Sequence, residues 1–333
     1  MVSVVIEKRI AILGLKRIGD AIYTLPLIEA LKQEGNVAHI TVFTEPQVAA
    51  IYEANPFIDD VQVFRKTDFW RHTLMQLKAD RFDVCIVLHN AFKYALLSFL
   101  ARIPMRVGYI KEGRGWLLTH KLPLPNTVTH RLEHNARLGD LLGVDGRGLL
   151  PQIYFADEEA EKSQTLLKHL GLIAGGYVLM VVGSISPTRR WFHDRFAEVV
   201  KRIAVELKLT VIIVGGPDDV EAGESVRHLS GGLARNLAGR TGLRKTILLK
   251  RSAAAMVAND TGPMHVASAI GIPTITWYGA ANEDEIAPPS PHTTILNARV
   301  PCSPCVKESC AHDLICLKGI TPEMVMNALK AKL

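Results

Sequence analysis

Short apolar runs rich in β-branched residues alternate along this chain with stretches of helical periodicity, and this alternation occurs twice. Such a pattern predicts βαβ units, in which helices join the strands of a largely parallel sheet. The 333 residues are too many for one compact core and enough for two domains. The apolar runs of the first series are RIAIL, AHITVF, DVQVF and CIVL, and those of the second are YVLMVVG, LTVIIVGG, AAMVAND and PTITWYG.

The pattern predicts an α/β protein of two doubly wound, Rossmann-like domains. We expect them to face one another across a cleft lined by the carboxyl ends of both sheets, where ligands of such folds bind. The predicted boundaries are 1–155 and 156–320, followed by a C-terminal helix over 321–333. Thr321 as N-cap and Pro322 at the first helical position mark the start of that helix.

Composition places the chain among ordinary globular proteins, with 48% hydrophobic and 22% charged residues. No stretch reaches the roughly 18 uninterrupted apolar residues that a membrane span needs. The run MVSVVIEKRIAILGL is interrupted by Glu7, Lys8 and Arg9, which favours the entry of a strand over a secretory signal. We therefore expect a cytoplasmic protein.

Positive charge is concentrated between His89 and Arg137, where eight Lys and Arg residues face two acids and give a local charge of +6. A solvated basic face is one explanation, and a docking surface for an anionic substrate or an acidic membrane is the other. Nucleic acid is not an expected partner, because aromatic residues do not alternate with the basic ones. The candidates for binding an anionic acceptor are Arg102, Arg106, Lys111 and Arg114.

The first strand leads into the loop LKRIGD and then into a helix predicted by the spacing of Ile22, Leu25, Ile28 and Leu31. Asp20 in this loop has two interpretations, a helix N-cap or a general base at the mouth of the sheet. The loop matches neither the dinucleotide fingerprint G-x-G-x-x-G nor a P-loop, so a dehydrogenase or a kinase is disfavoured.

Three loops of the second series carry residues that suit anions. GSISPTRRW supplies the hydroxyl of Ser184 and the guanidinium of Arg189, whose planar fork matches phosphate oxygens. GGPDD places Asp218 after a strand, where an acid can accept from ribose hydroxyls, although a simple turn explains it equally well.

The third loop, NDTGPMH, contains Asp260, Thr261, Gly262 and His265 just before a helix. Asn259, Asp260 and Thr261 are all good N-cap residues, so the stretch is either a plain cap or a cradle for a phosphate. Because all three loops follow parallel strands, they are expected to converge at one sheet edge. This convergence predicts a site for a nucleoside diphosphate.

Several of these stretches resemble the lipopolysaccharide heptosyltransferases of glycosyltransferase family nine. The resemblance runs from about residue 9 to about residue 328, and its motifs occur in the right order. It implies a GT-B fold, with the acceptor bound by the N-terminal domain and the nucleotide sugar by the C-terminal one. The motifs are GDAIYTLP, RRWF, VGGPDD, NDTGPMHVASAIGIPTITWYG and CSPCVKESCAHDLICLKGITPEMV.

The resemblance also implies an activity: inverting transfer of heptose from ADP-heptose to the inner core of lipopolysaccharide, without metal or cofactor. The partners would be the nucleotide sugar, an anionic lipid-linked saccharide and, peripherally, the inner face of the inner membrane. The implied catalytic base is Asp20. The implied donor ligands are Ser184, Arg189, Asp218, Asp260, Thr261, Gly262 and His265, with Arg189 standing where many relatives carry lysine.

Two alternatives stay open on the sequence. A transferase of the same family can use another nucleotide sugar and glycan acceptor, and a non-catalytic protein can bind a nucleotide sugar with the same loops. A separate question concerns the cysteine segment C-x2-C-x4-C-x5-C, which has enough ligands for a structural zinc ion but not the spacing of a zinc ribbon. Reduced thiols that pack a loop are the other explanation. The cysteines are Cys302, Cys305, Cys310 and Cys316.

Overall fold

The computed structural model describes residues 8–65 and 67–333, and the chain divides into two compact units after Phe155. Glu7, one of the residues that interrupt the N-terminal apolar run, lies outside the described residues. Among those that are described, no helix has both the length and the apolar character needed to cross a bilayer. Each unit is built around one parallel sheet with helices, which confirms the predicted fold class.

The sheet of the first unit has six parallel strands within the described residues, in the order β3-β2-β1-β4-β5-β6. This is the doubly wound order, in which the chain starts at the centre, builds one edge and then returns to build the other. The direction of winding reverses between β1 and β4, so the loops after these two strands diverge. The strands are β1 (Lys8–Leu13), β2 (Val37–Thr44), β3 (Asp60–Val63), β4 (Val84–Val87), β5 (Met105–Ile110) and β6 (His120–Pro123).

The first predicted helix is in fact two helices, with a break at Tyr23 and Thr24. Pro26 has no backbone N–H to donate to the preceding turn, so the chain starts a new helix there instead of continuing the old one. The Thr24 hydroxyl donates to the backbone oxygen of Ala21 at 2.7 Å and closes the break. The helices of this unit are α1 (Ile18–Ile22), α2 (Leu25–Glu34), α3 (Pro46–Ala49), α4 (Phe69–Ala79), α5 (Phe92–Leu100) and α6 (Arg131–Asp140).

The second unit repeats the same topology. Its six described strands lie in the order β9-β8-β7-β10-β11-β12, so that here too the first strand is central and the winding reverses beside it. The strands are β7 (Tyr177–Val181), β8 (Thr210–Ile213), β9 (Ala234–Asn236), β10 (Ala255–Ala258), β11 (Thr274–Tyr278) and β12 (Thr293–Asn297).

The last helix of the chain begins as predicted. Thr321 is its N-cap, and its hydroxyl accepts a hydrogen bond from the Met324 backbone N–H at 3.2 Å, with Pro322 in the first turn. This helix packs against the second unit through its buried side. The helices of the unit are α7 (Glu159–Leu170), α8 (His193–Arg202), α9 (Val220–Leu229), α10 (Leu243–Arg251), α11 (Gly262–Ile270), α12 (Glu283–Ile286), α13 (Ile315–Lys318) and α14 (Pro322–Lys330).

Strand β7 shows why the central strands are continuous apolar runs. Val178 and Met180 point into the core on one side of the sheet, whereas Tyr177 and Leu179 point into a separate core on the other. Helices cover both faces of the parallel sheet, so no position along β7 reaches water. The polar residues of these segments therefore lie in the loops that follow the strands.

One cation is buried in the second unit without a partner. Lys250, near the end of α10, is fully buried, and its Nζ atom has no hydrogen-bond partner among the described residues. Burial lowers the pKa of this amine from 10.5 to about 7, because an apolar interior disfavours the charged form. Burial of this amine lowers the free energy of unfolding, and this cost has its full value below a pH of about 7. It declines as the pH rises toward 10.5, where the unfolded chain also loses the proton.

We expect Lys250→Met to increase the free energy of unfolding by about 2–4 kcal/mol at neutral pH, because methionine fills similar space without a charge. Urea denaturation at a pH of about 7 and of about 10 measures this, and the gain should shrink at the higher pH. Lys245→Met, at an exposed position of the same helix, is the matched control. A Lys250→Met protein that unfolds more easily at neutral pH would show that the amine makes a favourable interaction.

Candidate active site

Three loops meet at one edge of the second sheet, because β10, β7 and β8 are neighbours. Asn259 connects two of them: its Nδ2 donates to the Val182 oxygen at 2.7 Å, and its Oδ1 accepts from the Trp191 backbone N–H at 3.0 Å. The Ser184 hydroxyl donates to the backbone oxygen of Asp260 at 3.3 Å. We call this edge the second-sheet edge, and its loops are residues 182–190, 214–219 and 259–261.

An ion pair lies at the second-sheet edge. Arg189 Nη1 is 3.0 Å from Asp260 Oδ2, and the side chain of Asp260 is only 3% exposed. Asp260 Oδ2 is buried, and Arg189 is the cation that faces it. Burial raises the pKa of Asp260 to about 6, although the charge of Arg189 acts in the opposite direction. Arg189 keeps part of its surface exposed and can therefore also reach a ligand.

The N-terminus of α11 is open. Thr261 is its N-cap residue, but the Thr261 side chain makes no capping hydrogen bond, so the plain capping interpretation is not what the structure shows. Gly262 begins the helix, Pro263 follows, and His265 is buried in the first turn. Pro263 has no N–H, and the Met264 N–H donates to the Thr261 oxygen at 3.0 Å. The backbone N–H groups of Thr261 and Gly262, at the positive end of a nine-residue helix dipole, are therefore the ones placed to meet an anion. These residues lie directly beside the Arg189–Asp260 pair.

The two acids of GGPDD have different environments. Asp218 is exposed, whereas the carboxylate of Asp219 packs against the backbone and accepts from the Gly216 N–H at 2.9 Å. A Cβ atom added at Gly183 would lie 1.7 Å from Asp219 Oδ1, and one added at Gly215 would lie 2.5 Å from Oδ2. Asp219 thus points into the second-sheet edge and Asp218 does not. In the sequence, only the pair of adjacent acids indicated Asp219, and the prediction named the first of the two, Asp218.

The cysteine segment supports the loop that carries Arg189. The Thr188 hydroxyl donates to the backbone oxygen of Lys307 at 2.6 Å, which ties that loop to the segment between Cys305 and Cys310. All four cysteines are free thiols, with Cys310 exposed and Cys316 buried. Within residues 8–65 and 67–333, no group of three or more His, Cys, Asp or Glu side chains is arranged to hold a metal ion.

In the first unit, Asp20 lies at the carboxyl end of β1, in the first turn of α1. It is not the N-cap, since that position is Arg17 and no side chain caps the helix. Burial raises the pKa of Asp20, whereas the nearby charges of Arg131 and Arg17 lower it by less. A carboxylate with a raised pKa at a strand end is suited to accept a proton.

Further charged groups surround the ends of β1, β2 and β4, which we call the first-sheet edge. Lys16 Nζ is 3.2 Å from Glu45 Oε1, and the Glu45 side chain is almost completely buried. His89 stacks on Tyr94 with 4.3 Å between ring centroids. Burial and the charge of Lys16 lower the pKa of His89 to about 4, so the ring is neutral at physiological pH. Sequence analysis did not single out Lys16 or Glu45, although each directly follows an apolar strand.

Arg114 is completely buried. Its guanidinium donates to the backbone oxygen of Tyr109 at 2.9 Å, to Asn90 Oδ1 at 3.0 Å and to the backbone oxygen of His89. Burial lowers the pKa of Arg114 to about 10, a value that still leaves it charged at neutral pH. The residue joins the loop after β4 to the loop after β5. Its predicted role as an acceptor ligand needs correction, because a fully buried guanidinium bonded to these loops holds them in position instead.

The other three acceptor candidates are not brought together. Lys111 follows β5 and is exposed on the same edge as Asp20. Arg102 precedes β5 and Arg106 is its second residue, which places both near the opposite, amino-terminal end of the strand. Parallel sheets bind ligands at the carboxyl ends of their strands. Lys111 is therefore the member of the set in a position to meet an acceptor near Asp20.

Two doubly wound parallel sheets of identical strand order are the architecture of GT-B glycosyltransferases, and this is the class that the fold defines. The family model for glycosyltransferase family 9 (heptosyltransferase) matches residues 70–315. The chain therefore belongs to glycosyltransferase family 9, the heptosyltransferases. The predicted family, fold class and enzyme class are confirmed.

Similar proteins agree with this assignment. Lipopolysaccharide heptosyltransferase 2 of Escherichia coli is 30% identical over 271 residues, which cover 77% of each chain. Lipooligosaccharide heptosyltransferase 2 of Haemophilus influenzae is 27% identical over 96% of this chain and 98% of its own. The solved structure of E. coli ADP-heptose LPS heptosyltransferase II has the same fold, with a TM-score of 0.83 at 24% identity over 97% of this chain and 98% of that one.

Proposed function

We propose that this heptosyltransferase transfers heptose from ADP-heptose to the inner core of lipopolysaccharide, with inversion and without a metal ion. The observation that carries the proposal is the open N-terminus of α11 beside the Arg189–Asp260 pair. Amide N–H groups and a guanidinium are the groups that bind a diphosphate in proteins. The similar E. coli enzyme is described as an ADP-heptose LPS heptosyltransferase, which supports the identity of the donor.

The leaving group sets the main requirement of the reaction. As the bond between the sugar and the diphosphate breaks, negative charge develops on the phosphate oxygens and positive charge on the sugar. Arg189 and the amides of Thr261 and Gly262 would stabilise that negative charge, because fixed dipoles and cations act strongly where water is excluded. Asp260 and His265 would contact the sugar and phosphate from the same edge.

The first unit would supply the base. Asp20 would accept the proton of the acceptor hydroxyl as that oxygen attacks the anomeric carbon from the face opposite the diphosphate. A single displacement of this kind inverts the anomeric configuration and requires one carboxylate. The raised pKa of Asp20 increases its proton affinity and so makes it a stronger base than an exposed aspartate.

The acceptor in this proposal is an anionic, lipid-linked saccharide, reached by peripheral contact with the inner face of the inner membrane. Lys111 and Arg131 give the first-sheet edge positive charge around Asp20, whereas the charge of Lys16 is balanced by Glu45. Such a field attracts anionic groups of an acceptor and orients them on approach. Nucleic acid has no role in the proposal.

Calorimetric titration of ADP, UDP, GDP and dTDP into the metal-free protein tests the donor. A clear preference for ADP, followed by heptose transfer from ADP-heptose that continues in EDTA, is the expected result. If the protein prefers another nucleotide, the family assignment stands and the donor is a different nucleotide sugar. This outcome is relevant because Arg189 stands where many relatives carry lysine. Loss of transfer in EDTA would overturn the metal-independent mechanism.

The acid that meets the donor ribose is better assigned to Asp219 than to Asp218. Asp219 points into the second-sheet edge, and a carboxylate that accepts from ribose hydroxyls forms charge-assisted hydrogen bonds. Asp219→Asn should weaken ADP binding about 10-fold to 100-fold, since the amide keeps the shape and loses the charge. Asp218→Asn should change the affinity by less than about twofold.

Calorimetry with ADP measures both variants under identical conditions. The two substitutions are adjacent and chemically identical, so a general effect of removing an acid is controlled within the pair. Urea denaturation verifies that Asp219→Asn is folded, because its amide oxygen can still accept from the Gly216 N–H. Equal affinities for the two variants, or a larger loss with Asp218→Asn, would contradict the assignment.

A further inference from the structure

Three large apolar side chains are exposed together on the first unit. Phe99 and Leu100 are the last residues of helix α5, and 40% and 41% of their surface is exposed. Trp116 lies in the 3-10 turn Arg114–Leu117, which follows β5, and is 63% exposed. The rings of Phe99 and Trp116 meet edge to face with 5.7 Å between centroids. We call Phe99, Leu100 and Trp116 the outer patch. An exposed cluster of this kind is unusual on a surface that faces only water.

Cations border the outer patch. A cavity of about 940 Å³ opens beside it, and its eight lining residues include Lys78, Arg102 and Arg106 but no acid. Arg106 also lies with its guanidinium 5.5 Å from the centroid of the Phe99 ring. Its Nε donates to the Leu117 backbone oxygen at 2.6 Å, so the charge is held in place without being neutralised.

None of the three cations forms an ion pair with another residue in the described part of the chain. Arg102 also occupies a left-handed backbone conformation, with φ 59°, that favours glycine. The combination of exposed aromatic rings and uncompensated cations is typical of surfaces that lie in the interface of an anionic bilayer.

We propose that the outer patch docks this enzyme on an anionic phospholipid bilayer. Trp116, Phe99 and Leu100 would enter the headgroup region, while Lys78, Arg102 and Arg106 would contact lipid phosphates. The inference deepens the proposed function, since it rests on an acceptor that is anchored in a membrane. A second copy of this chain is the less suitable occupant, because a twofold interface would bring two copies of the same cationic surface together.

The outer patch is not confined to one end of the first sheet. The turn that carries Trp116 follows β5, at the end of the sheet where Asp20 follows β1. Phe99, Leu100, Arg102 and Arg106 lie toward the amino-terminal end of β5. A lipid-linked acceptor would therefore have to extend from the patch along the strand direction to reach the base.

Co-sedimentation with vesicles tests the proposal. The full chain should bind vesicles that contain phosphatidylglycerol and not those of phosphatidylcholine alone, and added salt should weaken the binding. Arg102→Glu should lower the partition coefficient at least about tenfold, because it replaces a positive charge by a negative one. Trp116→Ser should lower it by a similar factor.

Matched controls come from exposed positions of the second unit. Lys168→Glu makes the same change of charge as Arg102→Glu, and Ile173→Ser removes an exposed apolar side chain as Trp116→Ser does. Both should bind vesicles as the parent does. Equal losses with the control variants, or unchanged binding of Arg102→Glu and Trp116→Ser, would overturn the proposal.

Two further measurements separate this inference from the proposed function. ADP titration of Arg102→Glu and Trp116→Ser should give the affinity of the parent. If the parent itself fails to bind ADP, the proposed donor is wrong, but the vesicle result still stands. Analytical ultracentrifugation detects self-association. A parent dimer that dissociates in Trp116→Ser, without vesicle binding by either protein, would identify the patch as a contact between copies and overturn the lipid proposal.

Discussion

Replacing Asp20 with asparagine should lower kcat for heptose transfer by between about 100-fold and 10,000-fold, the range that general bases contribute. The amide keeps the size and hydrogen-bonding shape of the side chain but cannot accept the proton of the attacking hydroxyl. Affinity for ADP should be unchanged, because Asp20 belongs to the first unit and the nucleotide is proposed to bind the second. Steady-state transfer assays and ADP titration of the same preparation measure the two quantities.

Glu29→Gln, on helix α2 of the same unit, makes the same chemical change at a partly buried site without a proposed role. It should transfer heptose at the parental rate. If Asp20→Asn transfers within about threefold of the parent, another group is the base. If it loses ADP binding as well, the substitution has disturbed the fold and says nothing specific about proton transfer.

The pH profile gives an independent readout of the same carboxyl group. A base must be deprotonated, so kcat/KM should fall as the pH drops through the pKa of Asp20, which burial raises above 3.8. Arg131 lowers that pKa by its charge. Arg131→Met should therefore move the acidic limb of the profile to higher pH, and a limb that moves to lower pH would contradict the assigned electrostatics.

Replacing Arg189 with methionine should slow transfer by about 100-fold to 1,000-fold, since the leaving diphosphate loses the cation placed to stabilise it. The same change removes the positive charge 3.0 Å from the buried carboxylate of Asp260. The pKa of Asp260, about 6 in the parent, should then rise further. Transfer kinetics and thermal unfolding at several pH values measure both effects.

The sign of the stability effect follows from the raised pKa. A carboxyl group that holds its proton more tightly when folded costs stability as the pH rises from its unfolded value of 3.8 to its folded value. Arg189→Met should therefore lose additional folding stability above a pH of about 6, and the gap in Tm between variant and parent should widen toward neutral pH. Arg189→Met/Asp260→Asn should close most of that gap without restoring transfer. A gap that is constant with pH would indicate that the pair is not electrostatically coupled.

Much of the fold was predictable because the central strands of both sheets are buried on two faces. β1, β4, β7 and β10 are continuous apolar runs that no other local structure of that length explains as well. β5, β6, β9 and β12 were not predicted. These strands lie at or next to a sheet edge and carry polar residues such as Arg106 and Lys121, so their apolar signal is weak.

The site shows a similar division. Loops that follow neighbouring central strands had to meet, and Ser184, Arg189 and Asp260 do lie together. Two features of the site depend on local geometry and could not be predicted. The first is which of the adjacent acids Asp218 and Asp219 the 3-10 turn directs inward. The second is whether an arginine in a basic stretch is exposed or buried. Arg114 shows the second case, since backbone oxygens can bind a guanidinium that a charge count places on the surface.

The close approach of Asp219 to Gly183 has an evolutionary consequence. A single methyl group at position 183 would occupy the space of the Asp219 carboxylate, so a larger residue there requires that carboxylate to move away. Members of the family that carry a larger residue after this central strand should have lost the acid at the position of Asp219. The two sites should therefore covary.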